Sequence, residues 1–507
     1  MNRRLRVLAA FFLVGMVLLV LQLANFQVRQ ATALQHSPYA PHPVQALVTA
    51  QRGEILSADG YVLAKSVKSA DGYRRVYPQG ALFADITGYV DTVHDNISTG
   101  LEAEYGNPFG TTSSSQYLLF HQYPSHGLSG LLNKRSGTDS ITITVTRRLQ
   151  LVAQQQLGSL AGALVAWDPQ NGDILALYSN PTYDPNKLAG TDAAAVNAYY
   201  KSLSPNSAAS PLVNGVTQIT NPPGSTFKIV TSSAIFDHKP SLALQYWKPV
   251  TGVSLPNTSS ILHNYASELC GGTLADVFAY SCDTAFGLIG LQLGPQVLAQ
   301  EAHSFGFGEV PPIDLPSGSP SYEVVPSRFP AASSFSANDP FLAYSAIGQG
   351  NVAETPLQDA LIAGAIADGG KMMTPHLLSR VINDQGSVVA TYRPRLWRRA
   401  TSAATAAKVL QLMRGVTTLP GGTATGTFPA YLNAAAKTGT AQAGTGGCVD
   451  DWIVATAPAG TGQTPTVAVA GYVPYQPGVP CASTGDSVAG PRVAALLEAA
   501  LAQQGAG

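Results

Sequence analysis

Three short runs in this 507-residue chain carry the residue types that acyl transfer through a serine needs. In Asn221-Pro-Pro-Gly-Ser-Thr-Phe-Lys228 two prolines close an extended loop where a helical pattern begins, which predicts Ser225 at a helix N-terminus. The partial positive charge of that helix end favours a developing alkoxide, and Lys228, three residues on, shares the same face as a proton acceptor. A serine without such a partner is too weak a nucleophile. Ser281-Cys282-Asp283 sits between two helically patterned stretches, 274–280 and 284–291. The turn between them presents a second hydroxyl and a polar side chain, able to pass a proton and to hold a ligand amide. Lys437-Thr438-Gly439-Thr440 opens a strand that continues through Ala441 and Gln442. There the lysine and two threonines offer a cation and hydroxyls to a carboxylate, and Gly439 is expected to clear the way for a peptide lying along the strand. Each run alone is ordinary, since Ser-x-x-Lys also serves as a helix cap with a surface lysine, and Ser281 to Asp283 as a capping turn. Their order and spacing in one chain is the signal.

Regular elements must bring these runs together. Segments 162–168 and 173–179 read as apolar strands on either side of Pro169-Gln170-Asn171-Gly172, a hairpin turn, and they follow a helix over 149–160. Near the other end, 435–442, 452–457 and 466–473 read as three more strands. A closing helix follows, with Pro491 in its first turn and Val493, Leu496, Leu497 and Leu501 forming one apolar stripe. The expected fold class is α/β (α+β): a central antiparallel sheet with helices on its faces and a helical insertion between about 227 and 411. Alternating β-branched residues over 141–146 mark the start of this domain. From about 47 to 140, short strand-like pieces broken by Asp59-Gly60, Tyr77-Pro78 and Asn107-Pro108 indicate a small, irregular, β-rich module without a catalytic cluster.

With 45% apolar residues the chain is composed for globular folding, and its length calls for two domains or more. A formal net charge of -1, with no Lys/Arg block beyond the first six residues, argues against nucleic-acid partners. Arg3, Arg4 and Arg6 precede an apolar run over 7–24 interrupted only by Gln22. That arrangement predicts one transmembrane helix, with 1–6 cytoplasmic and the rest of the chain outside. Ala31-Thr32-Ala33 has the look of a cleavage site but lies beyond the polar stretch 27–30, so the run is read as an uncleaved anchor in the cytoplasmic membrane. A Pro- and His-bearing spacer follows at 35–43, within a pedestal-like domain over 25–140, ahead of a catalytic domain over 141–507.

Ser225-x-x-Lys228, Ser281-x-Asp283 and Lys437-Thr438-Gly439 in this order resemble the three motifs of the penicillin-binding proteins and serine β-lactamases. Arg52-Gly53-Glu54-Ile55 with Asp59-Gly60 and Leu63-Ala64, and then Gly100-Leu101-Glu102 with Tyr105, resemble the opening of the monofunctional, class B penicillin-binding proteins. Pro181-Thr-Tyr-Asp-Pro-Asn186, Ile347-Gly-Gln-Gly350 and Thr355-Pro-Leu-Gln358 extend the likeness over nearly the whole chain, in an order similar to the actinobacterial A-type members. No glycosyltransferase domain or appended C-terminal module is recognisable.

The resemblance implies a penicillin-binding transpeptidase domain whose substrate is the peptidoglycan stem peptide. Ser225 would form an acyl-enzyme at the D-Ala-D-Ala terminus, with Lys228 as base, Ser281 as proton relay, and Lys437, Thr438 and Thr440 as the carboxylate site. The N–H groups of Ser225 and Thr440 would form the oxyanion hole. β-Lactams would acylate the same serine, no metal or cofactor is called for, and a glycosyltransferase or division-complex partner is implied. Asp283 stands where the family motif has Asn. An ionised Asp only accepts hydrogen bonds, and beside Lys228 it is expected to raise the lysine pKa and slow acylation, giving β-lactam tolerance. A β-lactamase would need a residue that activates water, and none is recognisable. A non-enzymatic scaffold and a D,D-carboxypeptidase stay open. Cys448 follows the Lys-Thr-Gly strand and Cys481 the strand two further on in the meander, so a disulfide between them is expected at one sheet edge. For Cys270 and Cys282, pairing and a buried thiol both stay open.

Overall fold

The computed structural model describes residues 12–17, 19–20 and 22, then 51–106 apart from 71, 92 and 94–97, and 138–317, 323–335, 339–442 and 447–505. The N-terminal module is a sheet built from short pieces. β1 (Ile55–Leu56) turns through Asp59-Gly60 into β2 (Val62–Ser69), which folds back as β3 (Gly72–Val76). The turn is tied by the Ser57 hydroxyl, which accepts from the Tyr61 N–H at 2.9 Å and donates to Asp59 Oδ1 at 2.6 Å. β4 (Ser140–Ile143) pairs parallel with β1. On its other side β4 pairs antiparallel with a strand from far downstream, Leu378–Ile382, which in turn pairs with Val388–Thr391. The expected boundary at 140/141 therefore falls inside one six-stranded sheet.

Helix α1 (Arg147–Leu157) is capped by Thr146, whose hydroxyl accepts from the Leu149 N–H at 3.3 Å. It leads into the hairpin of β5 (Gly162–Trp167) and β6 (Ile174–Asn180), close to the expected bounds. The expected helical insertion contains α2 (Lys228–His238), α3 (Leu274–Ala279), α4 (Asp283–Leu293) and α5 (Pro356–Ala367), but also short two-stranded ribbons between 247 and 272 and between 371 and 399. After α6 (Ala403–Thr418) come β7 (Ala435–Gln442), β8 (Val449–Ala457), β9 (Val467–Val473) and the closing α7 (Ala489–Gln504).

The central sheet has the order β7-β8-β9-β5-β6 and is antiparallel throughout. Every residue of β8 is buried, which requires cover on both faces. Trp167 meets α5 on one face, its Nε1–H donating to the Ala360 carbonyl at 2.8 Å. Leu164, of opposite parity on the same strand, sits with Gly471 against Val493 of α7. β7, with the Lys-Thr-Gly run, is the outer strand.

The two modules share one apolar core. Polar ties cross between them. Gln150 of α1 donates to the Leu82 carbonyl at 3.1 Å and accepts from the Leu177 N–H at 3.0 Å, and Asn186 exchanges hydrogen bonds with the Tyr77 backbone at 2.8 and 2.9 Å. Among the described residues no helix is long and apolar enough to cross a membrane. Half of the expected anchor over 7–24, the spacer at 35–43, Ala31 to Ala33 and the Asn107-Pro108 turn lie outside the described residues.

Candidate active site

The three runs that sequence order singled out meet at the β7 edge of the sheet. Ser225 lies in a 3-10 turn, Gly224–Phe227, that runs directly into α2, so the helix proper begins at Lys228 rather than at the serine. This turn packs against β7 so closely that side chains are excluded. A Cβ on Gly224, which has φ +59°, would lie 2.8 Å from the Thr440 carbonyl oxygen. A Cβ on Gly439 would lie 2.4 Å from the Pro223 carbonyl oxygen and 2.8 Å from Trp452 Cβ. The reason expected for Gly439, clearance for a substrate peptide, is thus corrected: its bare face is turned to the loop that carries Ser225.

Lys228 is fully buried, and its Nζ donates to the Ser281 carbonyl at 2.7 Å, to Ser281 Oγ at 3.2 Å and to Asp283 Oδ1 at 2.7 Å. Lys437, equally buried, donates from Nζ to Ser281 Oγ at 2.9 Å and to the Thr438 carbonyl at 3.0 Å. Ser281 is therefore the junction between the two lysines. Its backbone has φ +60°, which a non-glycine residue adopts at some cost and which turns the chain between α3 and α4. Cys282, next to it, forms a disulfide with Cys270, and Cys448 pairs with Cys481, so the open pairing at Cys282 is resolved as a bond. Asp283 is the first residue of α4, and its side chain keeps 21% exposure beside the dry Lys228 ammonium.

Burial pushes the Lys228 ammonium below its ordinary lysine value, and the charge of Asp283 pulls it back up. The net direction corrects the expectation that Asp283 raises this pKa outright: its effect has the expected sign, but desolvation is larger. Lys437 is pushed well below the ordinary value, first by burial and then by the charge of Lys228, against a smaller opposing pull from Asp283. Thr438 and Thr440 lie on the opposite face of β7 from Lys437 and Gly439, Thr438 buried and Thr440 partly exposed.

Several neighbours carried no assigned role in the sequence. Gln349 Nε2 donates to the Thr440 carbonyl at 3.3 Å, and the Gly224 N–H donates to the Gly348 carbonyl at 2.9 Å. The Ile347 to Gly350 block was a sufficient signal for these two. Thr423 Oγ1 lies 2.7 Å from Thr438 Oγ1, and Asn264 Oδ1 caps α4 by accepting from the Thr284 N–H at 2.9 Å. Neither has a local sequence signal, because both come from loops of other elements.

A family model described as the penicillin binding protein transpeptidase domain matches residues 162–498. The chain belongs to this penicillin-binding protein family. A second model, the penicillin binding protein A dimerisation domain, matches residues 52–123 of this penicillin-binding protein. It is 34% identical to peptidoglycan D,D-transpeptidase PbpA of Mycobacterium tuberculosis over 516 residues, with 99% of each chain covered. Two structures of penicillin-binding protein A from M. tuberculosis are similar to it. The ceftriaxone acyl-enzyme complex is 31% identical, with a TM-score of 0.74 over 90% of this chain and 100% of that one. The penicillin G acyl-enzyme complex is 32% identical, with a TM-score of 0.73 over 89% and 100%.

Proposed function

We infer that this penicillin-binding protein is a peptidoglycan D,D-transpeptidase with Ser225 as its nucleophile. The observation that carries the reading is the hydrogen-bonded chain Lys228–Ser281–Lys437, drawn from three separate segments and set beside the Ser225 turn. Ser225 Oγ bonds to the carbonyl carbon between the two terminal D-alanines while its proton passes to Lys228 Nζ. The N–H groups of Ser225 and Thr440 hold the oxyanion, and Thr438 and Thr440 hold the substrate carboxylate from one face of β7, with Lys437 as the cation behind them on the other. The proton then moves through the Ser281 hydroxyl to the departing nitrogen, the C–N bond breaks and D-alanine leaves. An amine of a neighbouring stem attacks the acyl-enzyme by the reverse path, forming the cross-link.

Lys228 must be neutral to accept that proton. Burial favours the neutral amine, and Asp283 favours the ammonium, so Asp283 acts as a brake on acylation and on the β-lactam reaction that shares it. The apolar run over 7–24 behind Arg3, Arg4 and Arg6 supports a single-pass anchor in the cytoplasmic membrane with both modules outside, the module over 25–140 serving as pedestal. Two disulfides suit that oxidising side. A glycosyltransferase within a division complex would supply the glycan strands.

The test is labelling of the fragment from residue 31 onward with a fluorescent penicillin. Covalent label on the parent and none on Ser225→Ala is the expected result. Absence of label on the parent after prolonged incubation would give the protein to a non-enzymatic scaffold role.

A further inference from the structure

Two acidic side chains that the chemistry above does not use lie behind the nucleophile segment. Glu354 and Asp359 both have 0% exposure, and none of their four carboxyl oxygens has a hydrogen-bond partner of good geometry. The Thr226 hydroxyl leans toward Asp359 but is donated to the Pro223 carbonyl at 3.2 Å.

Backbone bonds fix Glu354 to the Ser225 loop and Asp359 to α5. Glu354 exchanges two main-chain hydrogen bonds with Asn221, at 2.8 and 3.1 Å, at the head of the loop that ends in Ser225. Asp359 stands in the first turn of α5, which is capped by the Thr355 hydroxyl accepting from the Gln358 N–H at 3.1 Å. The pair thus joins the nucleophile loop to the helix that covers the sheet.

Two ionised carboxylates that feel each other's charge in a dry interior are strongly unfavourable unless a cation or a proton offsets it. Among the described residues no cation answers them. On α2, Lys228 is held by Asp283, and on the neighbouring ribbon strand Lys371 is held by Asp368 at 2.8 Å. On α6, Lys408 lies over the Phe236 ring and Arg414 lines an outer groove with it. Arg328 meets this region through its backbone, paired with Ala353. On β8, Asp450 and Asp451 accept from Tyr472 and Ser483, at 2.9 and 2.6 Å. The charge that acts on Glu354 is that of Asp359. A proton on one carboxyl supplies the missing donor, an O–H directed to the other. Burial acts in that direction on both: it raises Glu354 well above the ordinary carboxyl value and Asp359 to about 7.

We propose that Glu354 and Asp359 form a proton-sharing carboxyl pair that positions the 221–225 loop for acylation, a role that rests on the acyl-transfer reading of Ser225. Because folding raises both pKa values, the pair's contribution to stability is complete below about pH 4, the unfolded carboxyl range. It is lost as pH rises through the folded values, from about 7 for Asp359. Loss of the last proton sets two like charges behind the loop, and both the fold and the acylation rate suffer on the alkaline side.

The experiment compares the parent with Glu354→Gln and Asp359→Asn in the full chain, between about pH 5 and 9. It reads the thermal midpoint and the rate of acylation by a fluorescent penicillin. In Glu354→Gln an amide N–H replaces the shared proton toward Asp359. Its midpoint should therefore fall less with rising pH, and its ratio of rates at about pH 9 and 6 should exceed the parent's by about threefold or more. Asp359→Asn should change both profiles in the same sense. Should a single variant fail to fold, the double amide variant needs no proton and carries the same expectation. Superimposable pH profiles with labelling intact would overturn the proposal. So would stabilisation of the parent at about pH 9 by added Mg²⁺ or Ca²⁺, which would make the pair a cation site. A parent that never labels counts against the acyl-transfer reading alone, and the midpoint profiles still decide on the pair.

Discussion

Ser281 accepts from two lysines at once, at 3.2 and 2.9 Å, and this crowding sets what each group can do. Two ammonium ions around one hydroxyl repel, so the depressed Lys437 and the Asp283-supported Lys228 cannot be read as independent residues. Replacing Asp283 with Asn removes the charge that favours the Lys228 ammonium while keeping a hydrogen-bond acceptor in place. Acylation of Asp283→Asn by penicillin should be about tenfold faster near neutral pH, equivalent to about one pKa unit. Second-order acylation rates check this, and equal rates would remove the brake from Asp283. The sign of the Asp283 effect was legible from the motif alone. The net direction was not, because burial of Lys228 beneath the Phe286 ring, 5.3 Å from Nζ, comes from α4 packing on α2.

At the scale of elements, the site depends on an edge strand laid against a turn. The strands over 162–167, 174–180 and 435–442 were legible because apolar runs end at Gly/Pro turns or begin at a lysine-threonine-glycine step. The strand at 378–382 and the ribbons near 247 and 371 were not, since they are short and draw their stability from partners remote in sequence. Gly439 was legible as a special position but for the wrong face. Gly439→Ala should force β7 away from the Pro223 carbonyl, costing about 1–3 kcal/mol of stability. Penicillin acylation should fall at least about tenfold with it, because the Thr440 N–H moves from its place beside the Ser225 turn. Urea unfolding and labelling on the same sample check both effects. Full activity with wild-type stability would return Gly439 to the substrate-clearance reading.

Over the whole molecule, the N-terminal module is held by a charge cluster of which the sequence blocks named Arg52 and Glu102 without joining them. Arg52 Nη1 donates to Glu102 Oε2 at 2.9 Å, and Arg75 Nε donates to Glu102 Oε1 at 2.5 Å, all three groups buried. One carboxylate thus answers two guanidinium ions. Glu102→Ala would remove the carboxylate that both guanidinium ions share and should cost about 3–5 kcal/mol, seen as a lower thermal midpoint and earlier proteolysis within the N-terminal module. Retention of the parent midpoint would show that water reaches the arginines instead.

The sheet of the same module sets an order of assembly. Protein synthesis delivers the chain from its N-terminus, so β1 to β4 emerge long before Leu378–Ile382, the strand that completes the free side of β4. Until then, Ser140–Ile143 offers an open edge to any passing strand. A nascent chain therefore waits with its first sheet unfinished, and a truncation before 378 would leave a sticky intermediate rather than a small folded domain.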